Sequence, residues 1–531
     1  YTLTVTPTTG SPITQTVTVA LDSGVTLNPA SPTTTAVTDQ ILGMNLADWY
    51  DNAGNASSII PAFNGAGIKA IRWPGGSWSD AYHWGYQTGS GSLVAPYLCN
   101  CSSSHPDQCS GNFTVGNGTF SNFVSKIPLA GSYDLALTAN YGSNEACNGP
   151  GDPNEAAAWV AAAITDGITV SHMTVGNEEY GTWETDLHTK PNDPGTYASA
   201  VIGGSGYFDL IKAQSPTTEV GVVVDANNNC CASGWDSTVL SGAKGYYDFV
   251  EFHYYPQNPG GENDTFLVQQ AAQEFTTNIN TIKSELTTAG EPGTPIYVGE
   301  MGSVSSDPGK QSWSITQALY AGQLLGEMMN DGIARGTWWI GFGNCNGTGA
   351  NDSSLLYGWQ NFGAYNVFSD GSEDSGCNYG GNAETTLGTP SPTAIAYQLF
   401  SNVSVSGEHV IAPTVTGDTT NVRAYAATHA GGTQTALVLF NLNETSSAPV
   451  TITLQNESSV SQVTEYTYDK EMYDYTNITC DTAPTCTVDP NHTYNNVDWV
   501  TAPVMTTLSS PSPTMTVTLT PWSMNVFIIQ Y

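Results

Sequence analysis

The segments 171-SHMTVGNEEY-180 and 295-PIYVGEMG-302 each pass from a short apolar run into a glutamate, with a glycine one or two residues before it. Similar apolar runs recur between helical patterns from residue 39 to residue 388. Eight strands that alternate with helices predict parallel strands joined by crossovers, which close into an α/β fold of the (β/α)8 TIM-barrel type. The eight predicted strands are Ile41–Asn45, Lys69–Trp73, Asp134–Ala139, Ser171–Gly176, Glu219–Val224, Phe249–Tyr254, Pro295–Gly299 and Gly336–Ile340.

The rest of the chain has the texture of β structure. We predict a β-sandwich over residues 389–531 beside the barrel, which spans residues 39–388. Residues 1–38 alternate Thr with Val and are either strands of that sandwich or a separate small β module. Helices are predicted at Asn154–Thr165, Gly206–Gln214, Phe266–Leu286 and Ser312–Asn330, and sandwich strands at Gln434–Asn441, Val450–Leu454 and Met515–Thr520.

The charge balance excludes several classes of partner. The 531 residues include 11 Lys and Arg against 47 Asp and Glu, a formal net charge of -36. Nucleic acid and anionic membrane surfaces need clustered cations, so neither is an expected partner. No apolar stretch is long enough to predict insertion into a membrane. Charged residues make up only 11% of the chain, and a surface of neutral polar groups favours the hypothesis of an acidic working environment.

Ten cysteines lie in loop-like sequence without the spacing of a zinc site. They indicate loop disulfides and therefore a secreted, extracellular protein. Because the chain starts at Tyr1 in strand-like sequence, we expect a processed mature form. Cys480–Cys486 is the predicted pair, since it closes a short loop. The pairing of the others stays open, including Cys99, Cys101, Cys109, Cys147, Cys230, Cys231, Cys345 and Cys377.

Two glutamates follow strands on facing sides of the predicted barrel. The active site of such a barrel forms at the carboxyl ends of its strands, where strand 4 ends in Asn177-Glu178 and strand 7 in Glu300. Glycoside cleavage needs one carboxylic acid to protonate the leaving oxygen and a second carboxylate to attack the anomeric carbon or to activate water. We predict Glu178 as the acid/base and Glu300 as the nucleophile.

The assignment of the two roles rests on charge. Arg72 at the end of strand 2 is expected to lie close to Glu300 and to keep it ionised. Glu178 has no such predicted partner and can stay protonated. Asn177 can bind a sugar hydroxyl, and aromatic residues offer flat apolar faces to sugar rings. The residues predicted to bind substrate are Asn45, Arg72, Trp73, Asn177, His253, Tyr254 and Trp338.

These motifs resemble those of clan A, the retaining glycoside hydrolases whose glutamates lie on strands 4 and 7. The segment Arg72–Gly76 resembles the Arg-x-Pro-Gly-Gly motif of family 51 α-L-arabinofuranosidases. Residues 176–188 resemble secreted bacterial arabinofuranosidase-like proteins, and residues 521–526 resemble the last strand of their β-sandwich. The loops at residues 99–109 and 227–231 depart from the family pattern, and sugar specificity resides in such loops.

The resemblance implies a retaining α-L-arabinofuranosidase that acts on plant polysaccharides or oligosaccharides. Two alternatives in the same clan are an endo-β-glycanase, such as a glucanase, xylanase or xyloglucanase, and a β-glucuronidase. An alternative of another class is a non-catalytic carbohydrate-binding surface protein. No cofactor or metal is predicted, because the sequence has neither a phosphate-binding glycine loop in a strand–helix context nor a His/Cys metal cluster. The oligomeric state is left open.

Overall fold

A computed structural model describes sixteen ranges of the chain. The predicted disulfide Cys480–Cys486 lies outside these ranges. So do three other cysteines: Cys230, Cys231 and Cys377. None of the helices described combines the length and the apolar character that crossing a bilayer requires. The ranges are residues 2–5, 13–16, 22–47, 56–87, 92–93, 95–102, 105–116, 118–126, 133–226, 233–343, 345–346, 353, 355–357, 363–369, 387–473 and 502–531.

Eight parallel strands close into a barrel, which confirms the predicted fold class. Strands are numbered along the chain from β1. Those of the barrel are rich in Val, Ile and Ala and are buried on both faces, as parallel strands covered by helices require. The barrel strands are β4 (Gly43–Asn45), β5 (Ala70–Trp73), β11 (Asp134–Ala139), β12 (His172–Val175), β13 (Glu219–Val224), β14 (Phe249–Tyr254), β15 (Ile296–Met301) and β16 (Arg335–Trp338).

The helices begin and end at residues with recognisable capping chemistry. Asp152 caps α3 by accepting a hydrogen bond from the Asn154 amide, and left-handed Gly290 and Gly332 end α8 and α9. A π-helical turn at Leu267–Ala271 joins α7 to α8. The helices are α1 (Ala56–Ala66), α2 (Phe120–Lys126), α3 (Pro153–Thr165), α4 (Pro194–Val201), α5 (Tyr207–Gln214), α6 (Trp235–Gly242), α7 (Asp264–Phe266), α8 (Ala272–Ala289), α9 (Ile315–Asp331), α10 (Pro392–Phe400) and α11 (Lys470–Tyr473).

The outer ring of helices extends beyond the predicted domain boundary at residue 388. Helix α10 packs between α9 and α1 and covers the barrel where its first and last strands, β4 and β16, pair. Nearly all of its side chains are buried. After this helix, the C-terminal strands of the sandwich begin at Val410.

A small antiparallel sheet is inserted after the second barrel strand, in the order β10–β9–β6. Two disulfides hold it. Cys101–Cys109 joins β9 to β10, and Cys99–Cys147 joins β9 to the loop after β11. The strands of this sheet and of two short hairpins are β6 (Tyr82–His83), β7 (Tyr86–Gln87), β8 (Ser92–Leu93), β9 (Tyr97–Ser102), β10 (His105–Thr114), β17 (Cys345–Asn346) and β18 (Gly363–Ala364).

The second domain is a sandwich of a six-stranded sheet (β19–β21–β22–β27–β24–β25) and a four-stranded sheet (β20–β3–β23–β26). Strand β3 pairs with β20 and β23, so this part of the N-terminal segment belongs to the sandwich. Strands β1 and β2 form a separate hairpin. The strands are β1 (Thr2–Val5), β2 (Ile13–Thr16), β3 (Ser23–Leu27), β19 (Val410–Ile411), β20 (Thr414–Thr416), β21 (Val422–His429), β22 (Gln434–Asn441), β23 (Ala448–Leu454), β24 (Gln462–Asp469), β25 (Val504–Thr507), β26 (Thr514–Leu519) and β27 (Ser523–Gln530).

Two glycines let the barrel and the sandwich approach closely. A Cβ atom at Gly326 of α9 would lie 2.5 Å from the ring of Tyr425 on β21, and one at Gly322 would lie 2.8 Å from the sulfur of Met524. Tyr425 also donates a hydrogen bond of 2.8 Å to Glu327 on the same helix. The six-stranded sheet is therefore packed directly on the helical layer.

A carboxyl pair joins helices α6 and α8 on the outside of the barrel. Asp236 accepts a hydrogen bond from the Asp225 amide and faces Glu285. Burial and the charge of Glu285 raise the pKa of Asp236 to about 8. One shared proton therefore holds the pair together at neutral and acidic pH.

We expect this pair to make the protein more stable in acid. A raised pKa in the folded state contributes stability that is complete below the ordinary pKa of Asp236 and is lost as pH rises towards 8. Asp236→Asn replaces the shared proton with a permanent N–H donor. Its free energy of unfolding at pH 8, from urea denaturation, should exceed that of the parent by about 1–3 kcal/mol, and the difference should vanish near pH 4. Asp166→Asn, at an exposed helix end, is the control, and an equal pH dependence in all three proteins would refute the shared proton.

Candidate active site

The two predicted carboxylates border one cavity. Glu300 lies on β15, and Glu178 follows β12 on the facing side of the barrel. The cavity has a volume of about 770 Å³ at the carboxyl ends of the strands, within the usual range for a ligand site. Its lining consists of Gly76, Ser77, Trp78, Asn177, Glu178, Tyr180, Trp183, Asp225, His253, Tyr255, Asn258, Glu300, Ser305, Ser306, Trp339 and Tyr365.

Glu300 is held by two donors, one on β5 and one directly after β14. Arg72 Nη1 donates to Oε1 at 3.0 Å, and the Tyr255 hydroxyl donates to Oε2 at 2.8 Å. His253 Nδ1 lies 3.7 Å from Oε2. The Arg72 contact agrees with the predicted placement. Charge-assisted hydrogen bonds of this kind favour an ionised, fixed carboxylate.

Arg72 is fully buried, and both of its terminal nitrogens have partners. Besides Glu300, it donates to Asn45 Oδ1 at 3.1 Å and to Asn177 Oδ1 at 2.8 Å, and it pairs with Glu251 Oε1 at 3.0 Å. Burial opposes its charge, but the charges of Glu251 and Glu300 more than offset this and raise its pKa. A permanent cation therefore lies beneath the floor of the cavity.

Glu178 has three hydrogen-bond donors that the sequence did not predict. His253 Nδ1 donates to it at 2.9 Å, Trp183 Nε1 at 2.7 Å and Tyr180 at 3.2 Å. Burial raises the pKa of Glu178, but the hydrogen bond and charge of His253, with the other two donors, outweigh burial and lower it. The expectation that Glu178 lacks a cationic partner is therefore corrected, since His253 lies beside it.

His253 carries the proton instead. Burial lowers its pKa, but the charge of Glu300 and the hydrogen bonds to Glu178 and Glu251 raise it to about 10. Its Nε2 lies 3.3 Å from Glu251 Oε1. A metal could in principle bind between Glu178, His253 and Glu300. Both ring nitrogens of His253, however, are already paired with carboxylates.

Asn45 and Asn177, two of the predicted substrate-binding residues, hydrogen-bond to groups of the site. The Asn45 amide donates to the Gly299 carbonyl at 2.9 Å and accepts from Arg72, so Asn45 orients Arg72 without reaching the cavity. Asn177 lines the cavity, and its amide donates to Glu184 Oε1 at 3.0 Å. Because an amide nitrogen has two hydrogens, one remains for a sugar hydroxyl.

Three predicted aromatic contacts lie in the core instead of the cavity. Trp73 stacks on Phe123 at 4.9 Å, Tyr254 donates to the Ala271 carbonyl, and Trp338 packs edge-on against Tyr397. All three are buried on the helix side of the barrel wall. The structure thus corrects their predicted placement at the sugar, because side chains one residue apart on a strand point to opposite faces.

Two other aromatic residues lie in the cavity, where Tyr254 and Trp338 were expected. Tyr255 and Trp339 line the cavity, one position after Tyr254 and Trp338. Alternation could have located Tyr255, because it shares a face with His253 and Glu251. The same rule identifies Glu251 as an inward-facing carboxylate that the sequence analysis missed.

A buried group of carboxyls lies behind Asn177 and was also missed. Glu179 lies next to Asp80, and burial followed by the charges of neighbouring acids raises the pKa of Glu179 well above its ordinary value. Burial raises the pKa of Asp80 to about 6. Asp80 in turn accepts a hydrogen bond from the backbone N–H of Asn177 at 3.0 Å. Buried carboxyls with raised pKa values therefore support the loop that carries Glu178.

Glu251 should set the protonation of His253. The pKa of Glu251 is lowered to about 2, since Arg72 and His253 outweigh the effect of burial. Glu251→Gln removes that negative charge, so the pKa of His253 should fall from about 10 by about one unit or more. Titration of the His253 ring by NMR measures the change. Glu219→Gln, at a strand glutamate that faces His172, is the matched control, and an unchanged His253 titration in Glu251→Gln would contradict this role.

Comparison with known proteins identifies the fold. No protein-family model matches the chain, and no curated protein sequence matches it. An α-L-arabinofuranosidase of Thermotoga maritima, solved in complex with arabinose, superposes with a TM-score of 0.66 at 15% identity, over 96% of this chain and 100% of that chain.

Solved structures from two glycoside hydrolase families are similar to this chain. The family 51 arabinofuranosidase of Xanthomonas axonopodis pv. citri has a TM-score of 0.65 at 16% identity, and a family 44 xyloglucanase of Paenibacillus polymyxa has 0.61 at 13%. Each alignment covers 96% of this chain and 100% of the other. The chain therefore has the barrel-and-sandwich fold of these clan A enzymes along almost its whole length.

Proposed function

We propose that the protein is a retaining glycoside hydrolase with Glu300 as nucleophile and Glu178 as acid/base. The observation that carries this proposal is the closeness of the two groups: a carboxyl oxygen of Glu178 lies within 4.8 Å of one of Glu300. Retaining enzymes place their carboxyl groups about 5–5.5 Å apart, whereas inverting enzymes need about 6.5–9.5 Å to admit a water molecule. The spacing supports direct attack by Glu300.

The first step breaks the glycosidic bond. Glu300, held by Arg72 and Tyr255, attacks the anomeric carbon, and Glu178 protonates the leaving oxygen. In the free site the proton resides on His253 Nδ1, 2.9 Å from Glu178 Oε1, and it reaches the leaving oxygen through Glu178. The product of this step is a glycosyl ester on Glu300.

The second step releases the sugar. Glu178, now ionised, takes a proton from water, whose oxygen attacks the anomeric carbon and displaces Glu300. The proton returns to the Glu178–His253 pair, and the configuration of the sugar is retained. The charge of Arg72 stabilises Glu300 as it leaves.

The proposed substrates are plant polysaccharides or oligosaccharides. An α-L-arabinofuranoside is the first candidate, because the Arg72–Gly76 motif and the family 51 structures agree on it. An endo-β-glycanase is the second, supported by the family 44 structures and by Trp78 and Trp183, which are exposed at the cavity. The cavity carboxylates disfavour an anionic sugar, and with it the β-glucuronidase alternative.

A secreted, extracellular location is part of the proposal. The disulfides Cys99–Cys147 and Cys101–Cys109 support it, because such bonds persist in oxidising compartments. The excess of acids over bases and the raised pKa values of Asp80 and Asp236 support an acidic working environment. A screen of nitrophenyl glycosides and plant polysaccharides from about pH 3 to 7, the span over which carboxylates titrate, identifies the sugar and the pH range. An optimum near neutrality, with rapid loss of activity in acid, would contradict the acidic environment.

Replacement of each glutamate should produce a different defect. Glu300→Ala should lower kcat by more than about 10⁴-fold, and added azide should not restore a retained product. Glu178→Ala should lower kcat by about 10²–10⁴-fold on poor leaving groups, and azide should partly rescue it on activated nitrophenyl glycosides. Glu274→Ala, an exposed glutamate on α8, is the control for a lost carboxylate.

Product stereochemistry decides the mechanism. NMR of the first-formed sugar should show retained configuration in the parent enzyme, and an inverted product would overturn double displacement. If the protein binds polysaccharide but cleaves no glycoside, the alternative of a non-catalytic carbohydrate-binding protein holds instead.

A further inference from the structure

Two aromatic rings lie partly exposed where the cavity opens. Trp78 lines the cavity, and its ring contacts that of Phe113 edge to face, with centroids 6.1 Å apart. Each residue is 44% exposed. Large aromatic side chains are normally buried, and an exposed aromatic surface continuous with a ligand cavity indicates a binding surface.

The inserted sheet places Phe113 beside Trp78 although the two are far apart in sequence. Phe113 on β10 pairs with Leu98 on β9, and Leu98 pairs with Tyr82 on β6. Cross-strand neighbours share one face of a sheet. On that face, Leu98 and Tyr82 are buried, while Phe113 lies on the edge strand and is exposed.

The two disulfides hold this arrangement in place. Cys101–Cys109 links β9 to β10, so the strand that carries Phe113 cannot separate from its neighbour. Cys99–Cys147 ties β9 to the loop after the third barrel strand. A surface that is ordered before binding loses little conformational entropy when it binds a ligand.

We propose that Trp78 and Phe113 form a sugar-binding platform for a polysaccharide chain that continues out of the cavity. The inference rests on the proposed function and specifies its substrate as a polymer. The C–H face of an uncharged sugar ring matches the apolar aromatic surface. Because Trp78 belongs to both the platform and the cavity, a chain cleaved between Glu178 and Glu300 can extend over the platform without leaving the protein surface.

The test separates binding of the polymer from chemistry. In the Glu300→Ala background, which cannot cut the chain, affinity electrophoresis in xyloglucan and arabinoxylan measures binding alone. Phe113→Ala and Trp78→Ala should each weaken binding to the retained polysaccharide by about tenfold. Phe113→Trp, which keeps an aromatic ring, should bind like the parent. Ile164→Ala, at an exposed apolar residue on α3, is the matched control and should also bind like the parent.

Kinetics of the active protein provide the second measurement. For each protein, kcat/KM is measured on the polysaccharide and on a small nitrophenyl glycoside. Phe113→Ala should lower the first value relative to the second by about tenfold. If both this ratio and polymer binding match the parent, or if the parent binds neither polysaccharide, the platform is refuted. If no glycoside is cleaved but Phe113→Ala still loses polymer binding, the proposed hydrolase function fails and the platform stands.

Discussion

The guanidinium of Arg72 is the interaction on which the rest of the site depends. It is a buried charge, and an unpaired charge in the interior of a protein costs several kcal/mol. Its partners come from four other places around the barrel: Asn45 on β4, Asn177 after β12, Glu251 on β14 and Glu300 on β15. The need to neutralise and hydrogen-bond one cation therefore fixes the relative positions of five chain segments at the mouth of the barrel.

Bound protons neutralise buried carboxylates that have no Lys or Arg as a partner. His253 holds one between Glu178 and Glu251, and the raised pKa values of buried carboxyls such as Asp80 and Glu179 favour others. With 47 acidic residues and 11 basic ones, there are too few Lys and Arg to pair with every carboxyl. The same arrangement governs the ionisation of the site and the pH dependence of stability, because both are set by the binding of protons to carboxyls.

The predicted strands match the barrel closely because buried parallel strands are continuous apolar runs, which are visible without any knowledge of contacts. The carboxyl-end rule then located Glu178 and Glu300. It failed for Trp73, Tyr254 and Trp338, since the end of a strand does not reveal which face a side chain takes. One residue of register decides between the cavity and the core, as the neighbouring pair Trp338 and Trp339 illustrates.

By itself, the sequence determined the fold class, the order of the elements and the residues of the two candidate catalytic carboxylates, because these follow from local periodicity and from position along the chain. Only the tertiary structure decided the partner of Glu178. Glu178 and His253 are 75 residues apart, and the pKa of both depends on burial and on charges that folding brings within a few ångströms. Likewise, Phe113 reaches Trp78 only through the register of the inserted sheet.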